Sequence, residues 1–502
     1  MNNLIKKFTC AILSVLCLIS FAACNDNSSD DSGAGSASES IYDGSSAYKP
    51  GDVINLSGKA AVVSAKGETL SANKITIRGI DGNDYPIGGY IGPNALYRGN
   101  GYMMPSLITD EVFKKISDCG LNYLIDTKND IAGATGEQVL SLADKYKISC
   151  YMRCDDVILL DGGASVSGAE EIAAALYPVV QNHEFFAGPY GKDEPTSPLF
   201  PKIKEAYASL KDAKTIIGET AKDLTMYVNL FPRLPGESLS GGTDRNYTYE
   251  KYLADFFACN PDYLEFDFYP MTGLANTVSS GWFNYLASMN NEAISNNVAW
   301  QGFAQTGGNF PDVPNQHRIT NENELNYDVN SMVCFGAKGI TYFPGVFPPE
   351  WTGITPEKNC NDNSLINKYG SATPMYYYAR KINKNLKAMS EYLVNSVWEG
   401  VIMSGDGVCT YSSSDQRYKM QNYKLLKSVD GDPSVIGCFN YKGGVALYVM
   451  NNTLTNHRGQ ITLNFDNNYE YEVIQRGITN GIIAESFTLT LEAGEGALVV
   501  VK

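Results

Sequence analysis

From Pro86 onward, short apolar runs alternate with longer stretches whose apolar positions recur every three or four residues. The runs are "IGGYIGP", "LNYLIDT", "KISCYMRC", "FFAGPYG", "MYVNLFP", "YLEFDFYP", "VAWQGFAQT" and "GITYFPG", eight in all. Between them lie helical patterns such as "ITDEVFKKISDCG", "AEEIAAALYPVVQNH" and "NELNYDVNSMVCFGA". In the first of these, Thr109 is a cap candidate, Asp110 and Glu111 sit where the helix dipole favours acids, and Gly120 follows the last turn. Strand–helix alternation repeated eight times predicts a parallel sheet closed into a (β/α)8 barrel over residues 86–395. A doubly wound open sheet is the competing arrangement, and no glycine-rich phosphate turn follows the first run to support it. A long helix over Tyr369–Leu393 closes the barrel. Beyond it the period becomes two. "QITLNFD" places Ile461, Leu463 and Phe465 on one face, and "SFTLTLE" does the same with Phe487, Leu489 and Leu491. With "VIGCFNY", "GVALYVM" and "YEYEVIQ", this predicts a C-terminal antiparallel β-sandwich over 396–502. Residues 48–85 read as a small β lead-in with turn signals.

The one long uninterrupted apolar run lies at the N-terminus. Lys6 and Lys7 precede "TCAILSVLCLISFAAC", an export signal rather than a spanning helix. Its end, Phe21-Ala22-Ala23-Cys24, resembles a bacterial lipobox, which implies cleavage before Cys24 and lipidation of that cysteine. Residues 25–47 are rich in Ser, Gly and Asp and too poor in apolar residues to fold, so they read as a tether. The expected location is the outer face of a bacterial membrane, with the body held by lipid alone and the protein a monomer. A net charge of −16 argues against nucleic acid, whose phosphates call for basic patches. The eleven cysteines are scattered, and Cys150 and Cys154 would stand about 13 Å apart on one strand, too far to bridge. His183, His317 and His457 fall in separate regions, so no metal site and no cofactor are implied.

In a (β/α)8 barrel the reactive groups stand at the C-terminal ends of the strands. Those ends carry Tyr90, Asp126, Asp155 with Asp156, Asp193 with Glu194, Asn229, Asp267 and Gln305. Carboxylates with amides and aromatics suit glycosidic-bond cleavage, in which one carboxylic acid protonates the leaving oxygen and a carboxylate attacks or activates water. The stretch "YGKDEPTS" ends the fourth strand. There the chain resembles the clan of (β/α)8 glycoside hydrolases that includes β-galactosidases and cellulases, in which an Asn-Glu-Pro or Asp-Glu-Pro holds the acid/base glutamate. The resemblance runs over roughly Pro86–Leu393 and includes "YVNLFP", "EFDFYP" and "GAKGITYF" on strands five, six and eight. It implies Glu194 as the general acid/base. It also implies a nucleophilic glutamate at the end of strand seven, where this chain has "AWQGFAQTGG". Glu322 and Glu324, in "NENEL", read as the first turn of a helix.

The second carboxylate is therefore sought elsewhere. On "YLEFDFYP", Leu264, Phe266 and Phe268 form an apolar face for the helices, which turns Tyr263, Glu265, Asp267 and Tyr269 into the barrel. Asp267, nearer the top, is the expected partner of Glu194, and Glu265 is the deeper, structural acid. Alternation likewise turns Gln301, Phe303 and Gln305 inward and leaves Trp300 to core packing. Tyr90, Asp155, Asp193, Asn229, Tyr269, Gln305 and Trp351 are the expected sugar-binding residues. Trp282, Tyr190, Phe231 and Phe347 are further candidates for stacking platforms. Three readings stay open: a surface glycoside hydrolase acting on an extracellular poly- or oligosaccharide, a catalytically silent glycan-binding lipoprotein with the same barrel, and a purely structural surface protein.

Overall fold

The structure, a computed structural model, describes residues 53–502 apart from 57–58, 64–68, 100, 309–316, 352–363, 413–416 and 456–457. The export signal, Cys24, the tether and His457 lie outside the described residues. Among the described residues no helix is long and apolar enough to cross a membrane.

Eight parallel strands form the barrel: β1 (Ile87–Tyr90), β2 (Tyr123–Asp130), β3 (Ser149–Arg153), β4 (Phe186–Asp193), β5 (Tyr227–Asn229), β6 (Leu264–Phe266), β7 (Trp300–Gln305) and β8 (Ile340–Phe343). They run in the order β5-β4-β3-β2-β1-β8-β7-β6. The ring closes between β5 and β6 through one parallel bridge, Leu230 to Phe266. Leu230 N donates to Glu265 O at 3.0 Å, and Asp267 N donates to Leu230 O at 3.4 Å. Each strand is followed by a helix: α1 (Asp110–Cys119), α2 (Ala134–Tyr146), α3 (Ala169–Asn182), α4 (Phe200–Ile217), α5 (Tyr249–Phe257), α6 (Trp282–Ser295), α7 (Glu322–Cys334) and α8 (Pro374–Asn395). The punctuation of α1 works as its residues dictate. Thr109 accepts from Val112 N, and Gly120, at φ 93°, returns its N–H to Ile116 O and Ser117 O. The last helix starts at Pro374 rather than Tyr369, because Thr373 caps it and proline sets the first turn. Glu322 and Glu324 do open a helix. Asn321 and Glu324 form a capping box, and buried Glu324 also pairs with Arg318.

Outer faces of the strands meet the helices in one large core, where Leu264, Phe266 and Trp300 are buried. The inner faces build a separate cluster dominated by tyrosines: Tyr90, Tyr123, Tyr151, Tyr190, Tyr227 and Tyr263, with Phe303. Hydroxyls inside a barrel need partners. Tyr123 OH shares a hydrogen bond with Thr341 Oγ1 (2.6 Å), and Tyr151 OH with Thr225 Oγ1 (2.7 Å). Glu265 lies in this lumen fully buried. It accepts from Gln301 Nε2 at 2.7 Å and from Thr341 Oγ1 at 2.6 Å, so it ties β6 to β7 and β8. The lead-in, after its antiparallel strands Val53–Leu56, Lys59–Val63 and Thr69–Ser71, contributes Ile75 and Ile77 to the lumen cluster and plugs the bottom of the barrel.

The C-terminal region is an antiparallel sheet, with strands Val397–Ser404, Ser434–Tyr441, Gly444–Asn451, Gly496–Val501, Gly459–Gln475 and Leu426–Gly431 in that spatial order, and Ile478–Leu491 paired to Gly459–Gln475. The sheet curls on itself. One face, with Ile461, Leu463, Phe465, Leu489 and Leu491, encloses a core of its own. The other face, with Val435, Tyr448, Met450 and Leu498, joins the core of the barrel helices. All seven described cysteines are buried and free.

Arg78 locks the plug. Its guanidinium donates to the carbonyls of Thr220, His183, Glu184, Phe186 and Val180, which lie at the end of α3, at the start of β4 and in the turn after α4. Replacing Arg78 by Met should lower the stability of the chain by about 3 kcal/mol, from several lost charge-assisted bonds partly replaced by water. A shift of the urea midpoint, with unchanged circular dichroism of the folded state, is the readout.

Candidate active site

The ends of β4, β5 and β6 bring three carboxyls together. Asn229, closing β5, donates from Nδ2 to Asp193 Oδ1 at 2.8 Å. Tyr90, from β1, also hydrogen-bonds Asp193. Glu194 follows Asp193 with φ 47°, a left-handed conformation uncommon for a residue with a side chain, and its N–H is held by Asn229 O at 2.9 Å. This turn aims Glu194 at the neighbouring strand instead of along its own. There its carboxyl comes close to that of Asp267, with Asn229 beside both. Neither Asp193 nor Glu194 caps a helix; Thr196 holds the position before the turn at Ser197–Leu199.

Crowding of acids decides the protonation. Burial, with the Asp193 charge beside it, pushes Asp267 up to about 8, even though the bonds to Glu194 and Asn229 work the other way. Asp193 is raised as well, by burial, against the opposing bonds from Asn229 and Tyr90. Titration belongs to the group rather than to one residue. At neutral pH the cluster therefore tends to keep a proton among its carboxyls. Asp267 Oδ1 and Asn229 Oδ1 are buried without a hydrogen-bond partner among the described residues, an unusual state for polar atoms and one that fits a place where a ligand's hydroxyls bond.

One wall of the mouth is aromatic. Tyr269 meets Phe303, Phe343 and His317 with centroids 6.4, 5.4 and 5.4 Å apart, and Tyr90 meets Phe303 at 5.4 Å. Trp351 packs edge-on against Phe343 at 5.9 Å and stays partly exposed, as do Tyr269 and Phe343. Trp282, Trp300 and Phe347 are fully buried and offer no platform. Trp282 instead donates from Nε1 to Ser331, and Trp300 to Asn290. Tyr190 and Phe231 are nearly buried, at 7% and 8% exposure.

Two further residues are brought to the mouth with their groups already engaged. Gln305 is fully buried. Its Oε1 accepts from Met271 N (3.0 Å), and its Nε2 donates to Met271 O (2.9 Å) and Arg318 O (2.7 Å), so it staples the loop after β6 to the segment before α7. Asp155 accepts from Arg153 Nε at 2.9 Å. Arg153 also reaches Asp161, which pairs in turn with Lys192, next to Asp193. The rest of this ion network, together with Phe343 and the lumen rings of Tyr123, Tyr151 and Tyr227, was not singled out from the sequence. Period-two reading of β2, β3, β5 and β8 would have found the rings, since Tyr123, Tyr151, Tyr227 and Phe343 all fall on inward positions. The ion network spans loops and leaves no periodic trace. Among the described residues no cluster of three metal-ligating side chains occurs.

Several buried acids carry raised pKa values from burial: Asp267 and Asp328 to about 8, Glu265 to about 7 and Asp126 to about 6. Each binds its proton more tightly folded than unfolded, so each favours the fold at low pH and loses that advantage as pH rises through its folded value. His317, lowered to about 4 by burial, works the other way between about 4 and 6.5. Three or four acids against one imidazole leave a net fall. Stability, followed by urea midpoints, should decline as pH is raised from about 5 to about 7, and Glu265→Gln should flatten the slope.

No family model matches the chain, and no curated protein matches it. Among solved structures it is similar to a β-galactosidase from the psychrophilic Marinomonas ef1, at 10% identity and TM-score 0.39, covering 63% of each chain. The chain thus spans 63% of the length of that enzyme. It is also similar to a glucosidase from Croceicoccus marinus, at 8% identity and TM-score 0.40, covering 86% of this chain and 99% of that one. A cold-adapted β-galactosidase from Rahnella sp. R3 aligns at 8% identity and TM-score 0.42, covering 86% and 100%.

Proposed function

We propose that the chain is a glycoside hydrolase that cleaves an extracellular poly- or oligosaccharide at the barrel mouth, held to a bacterial surface by lipid on Cys24. The observation that carries this reading is the close approach of two carboxyls, Asp267 and Glu194, beside an aromatic wall at the strand ends. Asp267 then donates to the leaving oxygen, and Glu194, as the carboxylate, attacks the anomeric carbon or activates water. This exchanges the roles implied by the Asp-Glu-Pro resemblance, because burial and the Asp193 charge load the proton onto Asp267. Asn229, Tyr90 and Asp193 hold sugar hydroxyls, and Tyr269, Phe343 and Trp351 face the ring. Gln305 acts through the loop it staples, and Asp155 through Arg153.

A second reading, a silent glycan-binding lipoprotein, is favoured by two observations. β7 carries an amide, Gln305, where the related clan has its nucleophile. The touching carboxyls are also closer than the roughly 5–5.5 Å of retaining or roughly 6.5–9.5 Å of inverting enzymes, so a sugar has to part them.

Reducing-end release from a panel of β-glucans, galactans, mannans and host glycans separates the two. Hydrolysis by the wild type should drop about a hundredfold to ten-thousandfold in both Glu194→Gln and Asp267→Asn. The wild-type rate should fall as pH rises through about 8, where Asp267 gives up its proton. Glycan binding without release by any of the three proteins would sink the hydrolase and support the silent reading.

A further inference from the structure

Away from the barrel mouth, α7, α8 and the β domain enclose a cavity of about 540 Å³, within the roughly 300–1,000 Å³ of small-molecule sites. On α7, Asn323, Asn326 and Asn330 succeed one another at i, i+3 and i+7 and share the face that lines it. Asparagine is a poor helix former, so three on one stripe cost helix stability that their amides must offset elsewhere. Two of the lining amides explain themselves. Asn330 donates to Gly494 O (2.8 Å) and accepts from Tyr448 OH (2.6 Å). Asn385, from α8, donates to Gly496 O (3.0 Å) and accepts from Gly477 N (3.1 Å). Together they rivet the β domain to the barrel and make the cavity walls rigid. Asn326 is different. It donates to Glu322 O in its own helix, and its amide oxygen has no partner among the described residues.

The charges around the cavity nearly balance. Lys381 pairs with Glu322 at 2.7 Å. Arg476 grips Glu495 with two bonds of 2.6 Å and lies 3.6 Å from Glu492, which also takes Arg458 at 3.1 Å. Lys384 is left over. It is exposed, its stem packs on Gly477, and no carboxylate pairs with it among the described residues. The three carboxylates and three cations of the lining sum to zero. Because Arg458 from outside the lining takes up Glu492, Lys384 is the one charged group of the cavity left unpaired among the described residues. The lining includes no aromatic ring, and Ile382 is its one large apolar side chain.

We propose that this cavity binds a small, hydroxyl-rich monoanion, an acidic sugar of the uronate type, with its carboxylate on Lys384 and its hydroxyls on Asn326 and the flanking glutamates. A dianion such as phosphate meets three carboxylates for one free ammonium. A neutral sugar leaves Lys384 without a counter-charge, and an aromatic ligand finds no ring to stack on. This site is independent of the chemistry at the mouth.

Isothermal titration calorimetry of the full chain with glucuronate tests it, with glucose, inorganic phosphate and glycine as controls. Saturable binding of glucuronate is expected, at least about tenfold tighter than any control, and weakened about tenfold or more by Lys384→Glu. Lys384 is exposed, so the fold should survive the substitution, as circular dichroism will show. Glu194→Gln should leave this binding unchanged. An absence of saturable heat with glucuronate, equal binding of glucose, phosphate or glycine, or binding lost in Glu194→Gln and kept in Lys384→Glu would each overturn the proposal.

Discussion

Two carboxyls brought close together in a half-buried site resist being charged at the same time, and the mouth of this barrel is organised around that constraint. Burial alone raises an acid's pKa, and a neighbouring negative charge raises it further. Asp267 receives both, from its position at the top of β6 and from Asp193. Remaining features of the site serve the same arrangement. Asn229 holds Asp193 beside Asp267, and the left-handed turn at Glu194 brings the third carboxyl across from β4. Strain in the backbone and charge in the side chains are concentrated on the same few residues, which is how proteins hold groups ready that they would otherwise keep apart.

Beneath that layer, the lumen has the polarity of a designed network rather than of an oil-filled core. Glu265 sits among tyrosines and stays there because Gln301 and Thr341 satisfy both of its oxygens. Removing either partner would leave a buried acid half-solvated, so β6, β7 and β8 are bound to one another by chemistry as well as by packing. The layer of carboxyls at the mouth rests on this lower one. Asp267 follows β6 directly, two residues on from Glu265, and the backbone that positions one positions the other.

Much of this was legible in the residues. Eight apolar runs separated by helical periods dictate a barrel, and alternation along "YLEFDFYP" put Glu265 and Asp267 inside it, because a parallel strand has only two faces and the apolar one must meet the helices. Tyr269 and Phe303 followed from the same rule. What escaped is what depends on the third dimension. The full engagement of Gln305 by Met271 and Arg318 joins loops far apart in the chain, and nothing local announces it. Trp282 was a candidate platform by residue type alone, and its burial is set by how α6 lies against α7. The raised pKa of Asp267 comes from burial and from Asp193, a neighbour across strands that no spacing along one strand reveals.

The closure of the barrel between β5 and β6 has a mechanical meaning. Every other junction in the ring is a strand ladder, whereas this one is a single bridge with two backbone hydrogen bonds around Leu230. A cylinder with one thin seam opens there first when it breathes. The seam lies directly under the Asn229 and Asp267 side chains, so a small gap widens the space between the acids while the rest of the staves stay in register.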